Sequence, residues 1–481
     1  MRTTRIRFPV FLVLVPAATW INIAHAAEWY VSTTGSDLTG TGSNSAPYRT
    51  ITHVLEPANA IVAPGDTVTI RGPAGNNTYN ECDVRLRLPL TLRSPPGERA
   101  HIHCNITNVD TVTIQIDPDA SGSVLSRLEV SGGFYYGIFF QTDWYSGGGE
   151  AFTGASNVLI DDVKIHDTGR DGIKITPKCN DITIQNSEIW NSGAIYPPGT
   201  PLDDKNAEGI DNVNGSRMKV RDTHIHDIAT TGLYFKGGAA DVIVERNVIE
   251  RTGVGGIMFG FDTSPEFFDT AINPGYYEAV RGIVRNNVVR DTGFAGIGLY
   301  ATQDATVVNN TILHTAQLGH AALYFGVTLQ DYEPQAGRPA NINPFIRNNL
   351  IIQNGGDCVR VRWANELGGL SGLTGNPGTN FNWFHNTTDE CNFADNRPGS
   401  PLANGGSLGM WRAAVNADAN SFIGEIMVTN DGHLPVDSPA IDQGQTVASV
   451  TDDMDGEARS APFDIGSDER APGVLFAHGF E

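Results

Sequence analysis

The sequence predicts an all-β protein, a right-handed parallel β-helix in which short strands wind into a solenoid. Two observations lead to this prediction. The 481 residues include 54 glycines and 26 prolines, which indicates many turns and therefore many short strands. The chain also repeats one pattern, in which three short apolar runs are separated by a polar turn and a T-G or N-G turn. Copies of this pattern begin at Asn157, Asp181, Met218, Asp241, Gly282, Ala305 and Asn343.

The spacing of equivalent glycines gives the length of one repeat. Gly209 and Gly232 are 23 positions apart, and Gly232 and Gly256 are 24 apart. A period of about 20–50 residues is typical of solenoids, in which one repeat cannot bury its apolar face alone and stacking supplies the core. Three short strands in each repeat describe one turn of a parallel β-helix, with neighbouring turns about 4.8 Å apart.

Four asparagines recur at one position of the repeat. Asn247, Asn287, Asn310 and Asn349 each stand at the start of the second apolar run. Because equivalent positions of a solenoid stack on one another, these side chains fall in one column. We expect an internal asparagine ladder, in which the side-chain amides bond from turn to turn.

The rest of the chain divides around these repeats. The first residues have the form of a secretory signal, with three arginines, an apolar stretch and the small-x-small cleavage site Ala24-His25-Ala26. We therefore expect a secreted protein, extracellular or periplasmic, without a membrane span. The predicted units are residues 1–26 (signal peptide), 27–110 (N-terminal cap with a short helix, and first coils), 111–363 (central coils) and 364–481 (C-terminal coils, closing segment and short tail).

Charge and cysteine content narrow the possible partners. The chain has 32 basic and 54 acidic residues and a net charge of −22, which argues against a nucleic-acid partner because phosphate contacts need a basic face. We expect a monomer.

Five cysteines in an exported chain permit disulfides, and no C-x-x-C pair supports a zinc or redox site. Proximity in sequence suggests the pairs Cys82 with Cys104 and Cys358 with Cys391, which leaves Cys179 as a buried thiol.

Three insertions interrupt the repeats, at residues 194–206, 261–279 and 327–340. Insertions in a solenoid form loops, often on the binding face. The aromatic residues of the second insertion could stack on sugar rings or pack on the coil surface, and the sequence leaves both possibilities open.

Aligning the repeats by the glycine that begins the third run brings acids and lysines into shared columns. The acids stand one residue before or two residues after this glycine, and the lysines stand two or four residues after it. Since positions of the same parity on stacked strands project from one face, these side chains form one patch across three turns. The patch comprises Asp171, Lys174, Glu208, Asp211 and Lys236, with Asp203 and Asp204 on the loop that leads into it.

The distribution of basic residues draws attention to the same patch. All six lysines of the chain lie between positions 164 and 236, whereas the other 32 − 6 = 26 basic residues are arginines. An arginine side chain does not release its proton in proteins, but a lysine side chain can. This concentration of lysines supports a site at which one of them acts as a base.

The segments G-R-D-G-I-K, A-E-G-I-D-N and G-L-Y-F-K-G-G follow one another on successive turns. They resemble the site of polysaccharide lyase family 9, which has S-D-G-F, D-D-G-W-D and G-F-K-L-G-G turns. That family comprises calcium-dependent pectate lyases on a right-handed β-helix. The resemblance implies Asp171, Glu208 and Asp211 as calcium ligands and Lys236 as the catalytic base.

Two positions depart from the family pattern. Ala207 stands where the family has an Asp, and Asp203 or Asp204 would have to supply the missing ligand. Lys236 lies two residues further from its glycine than the family's lysine. The resemblance also implies an acidic polysaccharide as the partner, and the residues that we assign to its binding are Lys174, Tyr234, Arg246 and Tyr300.

These residue types suit the β-elimination that the resemblance implies. The reaction removes a proton from the carbon beside a uronate carboxylate. Calcium takes oxygen ligands, so it can bridge protein acids to that carboxylate and offset the developing negative charge. A metal in the patch would also explain how an acidic protein binds a polyanion. A lysine beside the cation releases its proton more readily and can serve as the base.

Two other functions stay open at this point. One is a non-catalytic β-helix that binds glycans or serves as a surface or adhesion module, since a fold does not determine a function. The other is an inverting hydrolase, with Asp203, Asp204 and Asp211 as its paired acids. Lys174 has an alternative of its own, because it could form a surface ion pair with Asp211 of little energetic weight.

Three histidines stand in turns of the form I-H-D. A metal site built from His166, His224 and His226 would require convergence that the sequence does not show. We therefore expect these side chains to cap turns.

Overall fold

The computed structural model describes residues 26–144, 152–330 and 333–470. The predicted signal segment, apart from Ala26, and the predicted short tail lie outside these residues. The described chain forms three long parallel sheets, so the predicted right-handed parallel β-helix is confirmed. A complete coil contributes one strand to each sheet, and the chain passes through the sheets that we call 1, 3 and 2 in that order.

Within the described residues, sheet 1 contains the strands Glu28–Val31, Thr67–Ile70, Thr91–Arg93, Val124–Ser126, Leu159–Asp161, Thr183–Gln185, Lys219–Arg221, Ile243–Glu245, Ile283–Arg285, Thr306–Val308, Phe345–Arg347 and Thr379–Asn380. Sheet 2 contains Val84–Leu86, Val112–Ile116, Tyr136–Phe140, Ile173–Ile175, Ile210–Val213, Leu233–Lys236, Ile257–Phe259, Ile297–Tyr300, Ala321–Gly326, Asp357–Val361 and Asn392–Asp395. Sheet 3 contains Thr78–Asn80, Ala100–Cys104, Leu128–Gly132, Lys164–His166, Glu188–Trp190, His224–Ile228, Val248–Thr252, Val288–Thr292, Thr311–Leu313, Leu350–Gln353, Trp383–Asn386 and Phe422–Ile423.

Short strands and helices outside the three long sheets pack on the coils or connect them. A three-stranded sheet is formed by Ala239–Ala240, Ala279–Val280 and Thr302–Gln303, and two hairpins by Leu329–Gln330 with Glu333–Gly337 and by Trp363–Ala364 with Leu370–Ser371. The two α-helices of the described chain are Ile51–Leu55 and Leu408–Val415. The first is the predicted cap helix: Thr50 caps its N-terminus, and its apolar residues are buried against the first coils. None of the described helices is long and apolar enough to cross a membrane.

The strands pair in parallel without a shift along most of each sheet. In sheet 2, for example, Ile173 pairs with Ile210, Ile210 with Leu233 and Leu233 with Ile257. Equivalent positions therefore form columns along each sheet, and the inward columns are apolar and buried. This stacking supplies the core that no single coil could form.

A column of glycines stands at the start of the sheet 2 strands, where each coil packs tightly against the next. A Cβ atom placed on Gly209 would lie 2.4 Å from the carbonyl oxygen of Gly232 and 2.8 Å from Cγ2 of Ile225 in sheet 3. Any side chain at this position would therefore force the coils apart. The glycines of this column are Gly137, Gly172, Gly209, Gly232, Gly256 and Gly296.

The predicted asparagine ladder is confirmed. The side-chain oxygen of Asn287 accepts hydrogen bonds from the backbone N–H and the side-chain amide of Asn247, both at 3.0 Å. Asn310 and Asn349 continue the same pattern, and Asn382 extends it by one coil. These side chains are buried, and the ladder satisfies donors that would otherwise lie unpaired in the core.

The disulfides are formed as proposed. Cys82 is bonded to Cys104 and Cys358 to Cys391, and Cys179 is a buried free thiol. Each bond joins neighbouring coils, since the paired residues are separated by 22 and 33 positions. The two cross-links therefore hold coils near opposite ends of the solenoid.

The C-terminal segment runs back along the outside of the solenoid. Its apolar side chains, including Leu434 and Ile465, are buried against outward residues of sheet 3 such as Val288 and Leu350. The buried guanidinium of Arg459 binds carbonyl oxygens within this segment and the side-chain oxygen of Asn286. The segment thus covers the later part of the outer face of sheet 3.

Replacing one member of the asparagine ladder should destabilise the protein. Asn310→Ala removes the acceptor for two buried donors of Asn287 and the donor to Asn349. We expect the free energy of unfolding to fall by roughly 2–4 kcal/mol, since each unpaired buried group costs about 1–3 kcal/mol. Urea denaturation measures the change. The control is Asn343→Ala at an exposed position, and an equal loss in both variants would contradict a specific role of the ladder.

Candidate functional site

The columns of acids and lysines that the sequence places together do stack on the outer face of sheet 2. Lys174 pairs with Asp211, Asp211 with Tyr234, and Val213 with Lys236. The intervening residues point into the core, so these side chains point outward. The strand register therefore places the predicted patch on three successive coils.

Three carboxylates of this patch converge. Asp171, Glu208 and Asp211 are buried, and each offers an oxygen atom within 4.8 Å of those of the other two. The backbone N–H of Glu208 donates to Oδ1 of Asp171 at 3.1 Å, and the hydroxyl of Thr230 donates to Oε1 of Glu208 at 2.8 Å. Each carboxylate keeps one buried oxygen, which is Oδ2 of Asp171, Oε2 of Glu208 and Oδ1 of Asp211, and none of the three has a hydrogen-bond partner among the described residues. Three converging carboxylates of this kind suit a cation with oxygen ligands.

The charge of the cluster is only partly balanced within the protein. Burial, followed by repulsion from Glu208 and Asp211, raises the pKa of Asp171 well above its ordinary value. Burial and the charge of Asp211 also raise the pKa of Glu208. The ammonium group of Lys174 forms an ion pair with Asp211. With the acids ionised, three carboxylates and one ammonium give a formal charge of 1 − 3 = −2.

The pair between Lys174 and Asp211 is not at the surface. The side chain of Lys174 is 16% exposed and that of Asp211 is 1% exposed, so the expectation of a weak surface ion pair is wrong. Burial alone would lower the pKa of Lys174, but the carboxylates of Asp211 and Asp171 outweigh burial and raise it. Lys174 is therefore held in its charged form. The positive charge of Lys174 offsets part of the negative charge of the three carboxylates.

Lys236 lies beside the cluster on the same face. Its ammonium nitrogen donates to the carbonyl oxygen of Asp262 at 3.2 Å and lies 4.6 Å from the ring centre of Tyr234 and 5.5 Å from that of Phe261. No hydrogen bond between described residues joins it to the three acids, although its charge lowers the pKa of Glu208. Lys236 is therefore a neighbour of the acids, and its ammonium group lies near two aromatic rings that stack on each other.

The other predicted polysaccharide-binding residues are divided between two places. Tyr234 and Tyr300 belong to one buried aromatic cluster on sheet 2, which also contains Tyr324. The hydroxyl of Tyr300 is 3.3 Å from Nδ1 of His320, and burial together with the nearby carboxylates raises the pKa of Tyr234. Arg246, by contrast, lies at the turn between sheets 1 and 3, where it pairs with acids of that turn and of the C-terminal segment.

Asp203 and Asp204 are exposed in a short 3₁₀ turn, Leu202–Asp204, of the first insertion. Neither belongs to the group of three acids whose oxygens converge. Ala207, which stands where the resembled family has an Asp, is buried. The described structure therefore shows three converging carboxylates and a further pair on the loop outside.

Two buried charges that the sequence did not single out hold the neighbouring insertions in place. Oε2 of Glu278 accepts from the backbone N–H of Gly237 at 2.8 Å and from the hydroxyl of Thr263 at 2.7 Å. Arg338 donates to the other oxygen of Glu278 at 3.1 Å. Burial raises the pKa of Glu278 to about 7. Because the insertions have no repeat to align, no column in the sequence points to this pair.

The aromatic residues of the second insertion pack inward rather than forming a free wall. The guanidinium group of Arg338 lies 4.7 Å from the ring centre of Phe268 and 5.2 Å from that of Tyr276. Phe268 is buried. Phe261, at the start of the same insertion, remains partly exposed beside Lys236 and is available for contact.

Comparison with known proteins agrees with this architecture. The family described as "Right handed beta helix region" matches residues 100–197, 151–312 and 208–423. No curated sequence matches the chain. Among solved structures, pectate lyase Pel9A is similar with 15% identity and a TM-score of 0.53 over 94% of this chain and 98% of that one. The Dettilon tailspike protein has 15% identity and a TM-score of 0.49, over 78% of this chain and 69% of that one. A rhamnogalacturonan lyase has 13% identity and the same TM-score, over 69% and 84%. At 15% identity, the likeness to pectate lyase Pel9A shows the fold alone.

The raised pKa of Glu208 predicts a pH-dependent effect of Glu208→Gln on stability. The amide keeps the bond from Thr230 but cannot ionise. In the wild type, stability is lost as the pH rises above the ordinary value of 4.5, because the folded protein must ionise a buried acid beside Asp211. Without divalent ions, we expect the variant to melt a few degrees higher than the wild type at about pH 8 and equally at about pH 4. Calorimetry measures the difference.

The control for this experiment is Glu457→Gln, which changes an exposed glutamate. It should leave the melting temperature unchanged at both pH values. A Glu208→Gln variant that is less stable than the wild type at the higher pH would contradict the electrostatic account of the cluster.

Proposed function

We propose that this chain, which belongs to the right-handed β-helix family, cleaves an acidic, uronate-containing polysaccharide by calcium-assisted β-elimination. The observation that carries the proposal is the set of three buried carboxylate oxygens without hydrogen-bond partners on the outer face of sheet 2. The similarity of the fold to pectate lyase Pel9A agrees with this function but does not by itself establish it. The resemblance of the three site turns to polysaccharide lyase family 9 belongs to the same proposal.

The residues of the cluster fit a calcium ion. Calcium prefers oxygen ligands, and Asp171, Glu208 and Asp211 would supply them. A divalent cation would neutralise the formal charge of −2 that remains after Lys174 pairs with Asp211. It would also relieve the repulsion that raises the pKa values of Asp171 and Glu208. When bound, calcium would attract the uronate carboxylate and offset negative charge at the neighbouring carbon.

Lys236 is the base in this proposal. Lys174 is held charged by its carboxylate partners and cannot accept a proton. No ion pair with a carboxylate is found for Lys236 among the described residues, and its ammonium group lies near the exposed edge of Phe261. After losing its proton, the amine of Lys236 can take the proton from the carbon beside the uronate carboxylate. The electron pair of the broken C–H bond forms the carbon–carbon double bond, the C–O bond to the leaving sugar breaks, and its oxygen takes a proton from water.

Two aromatic side chains would orient the sugar. Tyr234 stays protonated because burial and the carboxylates raise its pKa, so its hydroxyl can donate a hydrogen bond. The ring of Phe261 is stacked at 6.0 Å on that of Tyr234 and is partly exposed, which suits contact with the apolar face of a sugar ring. Glu278 and Arg338 fix the loops on which this geometry depends.

One observation favours a second candidate, a glycan-binding protein without catalysis. The ammonium group of Lys236 binds the carbonyl oxygen of Asp262 instead of the acids. If this contact persists with substrate bound, the acids and their cation would still bind an acidic polysaccharide, but no proton would be removed.

The two candidates differ in whether an unsaturated uronate appears. The protein is incubated with pectate, alginate or glycosaminoglycans, with calcium or with a chelator, and the ultraviolet absorbance of the unsaturated product is followed. We expect a calcium-dependent rise on one of these substrates, and a loss of about 10²–10⁴-fold in rate for Lys236→Met. Lys219→Met, at an exposed position of sheet 1, is the matched control.

Each other result has a defined meaning. A rise that Lys236→Met does not change would retain the lyase and reject Lys236 as its base. Binding of a glycan without any rise would support the second candidate. Cleavage without an unsaturated product would point to a hydrolase.

Calcium should stabilise the protein in a pH-dependent manner. Because Asp171 and Glu208 must lose their protons to bind it, and their pKa values are raised, the increase in melting temperature should be larger at about pH 8 than at about pH 5. Asp211→Asn should abolish most of the increase, and Asp437→Asn at an exposed position should retain it. An equal increase in both variants would place calcium elsewhere.

A further inference from the structure

A second concentration of ligating side chains lies on the outer face of sheet 3, away from the acids of sheet 2. The strand register stacks His101 on Glu129, and Ser131 on His166. The same register stacks Glu188 on His224 two coils further along. This part of sheet 3 precedes the residues that the C-terminal segment covers. The histidines that the sequence assigned to turn capping therefore converge on one face.

The first group is formed by His101, Glu129 and His166. Each of the three offers a ligand atom within 4.8 Å of those of the other two. Oε1 of Glu129 lies 3.1 Å from Nε2 of His166 and 3.8 Å from Nδ1 of His101. One carboxylate oxygen thus faces one nitrogen of each imidazole.

The remaining nitrogen of each imidazole in this group is bonded to an oxygen. Nδ1 of His166 lies 2.7 Å from Oδ2 of Asp167, and Nε2 of His101 lies 2.7 Å from the hydroxyl of Ser131. Such outer partners fix the orientation of each ring and direct its other nitrogen toward Oε1 of Glu129, where a metal ion would bind.

The second group repeats this arrangement with Glu188, His224 and His226, whose ligand atoms also lie within 4.8 Å of one another. Nε2 of His226 is 3.4 Å from Oε1 of Glu188, and its Nδ1 is 2.7 Å from Oδ2 of Asp227. The other oxygen of Glu188 accepts from Lys164 at 2.9 Å. Because Lys164 competes for this carboxylate, the second group should bind a cation more weakly than the first.

A purely structural role would explain part of this face. The ring of Trp190 lies between the two groups, stacked at 4.3 Å on His166 and at 5.9 Å on His226. Stacking accounts for the ring planes, but it does not require a glutamate beside each group of histidines or an aspartate behind His166 and His226. The repetition of carboxylate, imidazole and outer aspartate in both groups is the arrangement that orients metal ligands.

We propose that the outer face of sheet 3 binds divalent transition-metal ions of the zinc class, one at His101, Glu129 and His166 and a weaker one at Glu188, His224 and His226. Two imidazoles and a carboxylate are the donor set that zinc and its neighbours in the series prefer, whereas calcium prefers oxygen ligands alone. A fourth position at each ion is left for water or an external donor. These sites are separate from the proposed calcium cluster and do not depend on the proposed function.

The test uses untagged protein and Zn²⁺ alone as the probe, with equilibrium dialysis and metal analysis to give the stoichiometry. We expect two equivalents of Zn²⁺ for each chain, of which an excess of Ca²⁺ displaces neither. Glu129→Gln should lose the tighter equivalent and His226→Gln the weaker one. Asp167→Asn should weaken the tighter site about 10–100-fold while keeping both of its histidines. His314→Gln, outside both groups, is the matched control and should bind as the wild type does.

A second readout separates loss of a ligand from loss of folding. Co²⁺ at the tighter site should give visible absorption bands that Glu129→Gln abolishes, while the melting temperature of the metal-free variant stays close to that of the wild type. The proposal is overturned if the wild type shows no saturable Zn²⁺ binding. It is also overturned if Ca²⁺ displaces the bound Zn²⁺, or if a double variant of Glu129→Gln and His226→Gln binds as the wild type does.

Discussion

The close approach of successive coils at the start of the sheet 2 strands is the constraint on which the rest of the structure depends. At Gly209 the next coil leaves no room for a Cβ atom, and the same holds along the whole glycine column. Parallel pairing without a shift then places each residue directly on its counterpart one coil away. Asp171 and Glu208 precede two stacked glycines, and this is why two acids that are 37 positions apart can share one hydrogen bond. The asparagine ladder and the histidine groups follow from the same register.

Much of the architecture could be predicted from the sequence because a solenoid converts periodicity directly into position. The repeat length predicted the positions of the strands, the asparagine column and the stacked columns of sheet 2. It also predicted that Lys174 lies beside Asp211 on the next coil. The burial of a side chain could not be predicted in this way, because alignment of the repeats shows which residues share a column but not which residues cover them. For this reason the ion pair between Lys174 and Asp211 was expected at the surface, although it is buried. The buried pair of Glu278 and Arg338 was not predicted from the sequence, because both residues lie in insertions that do not repeat. His166, His224 and His226 were recognised from the sequence and His101 was not. The convergence of these side chains depends on their rotamers, which a repeat pattern does not specify.

The two candidate sites illustrate how one solenoid can separate two kinds of coordination chemistry. On sheet 2 the donors are carboxylate oxygens, deeply buried, and burial makes their ionisation costly unless a cation is present. On sheet 3 the donors are mainly imidazole nitrogens, partly exposed and oriented by hydrogen bonds to neighbouring oxygens. Because each face is built from its own columns, a change in one face leaves the backbone of the other in place. Hard and borderline cations would thus be sorted by the face on which they bind.

The C-terminal segment changes how the solenoid behaves as a whole. Contacts in a simple repeat array are confined to adjacent coils, so such an array can fray from its ends one unit at a time. Here Arg246 binds Asp452 across 206 positions, and Arg459 binds Asn286 across 173. These long-range contacts bind the C-terminal segment to coils in the middle of the array. The C-terminal segment must therefore detach before the last coils can unfold. We expect the later coils to unfold together, with the cooperativity of a globular domain.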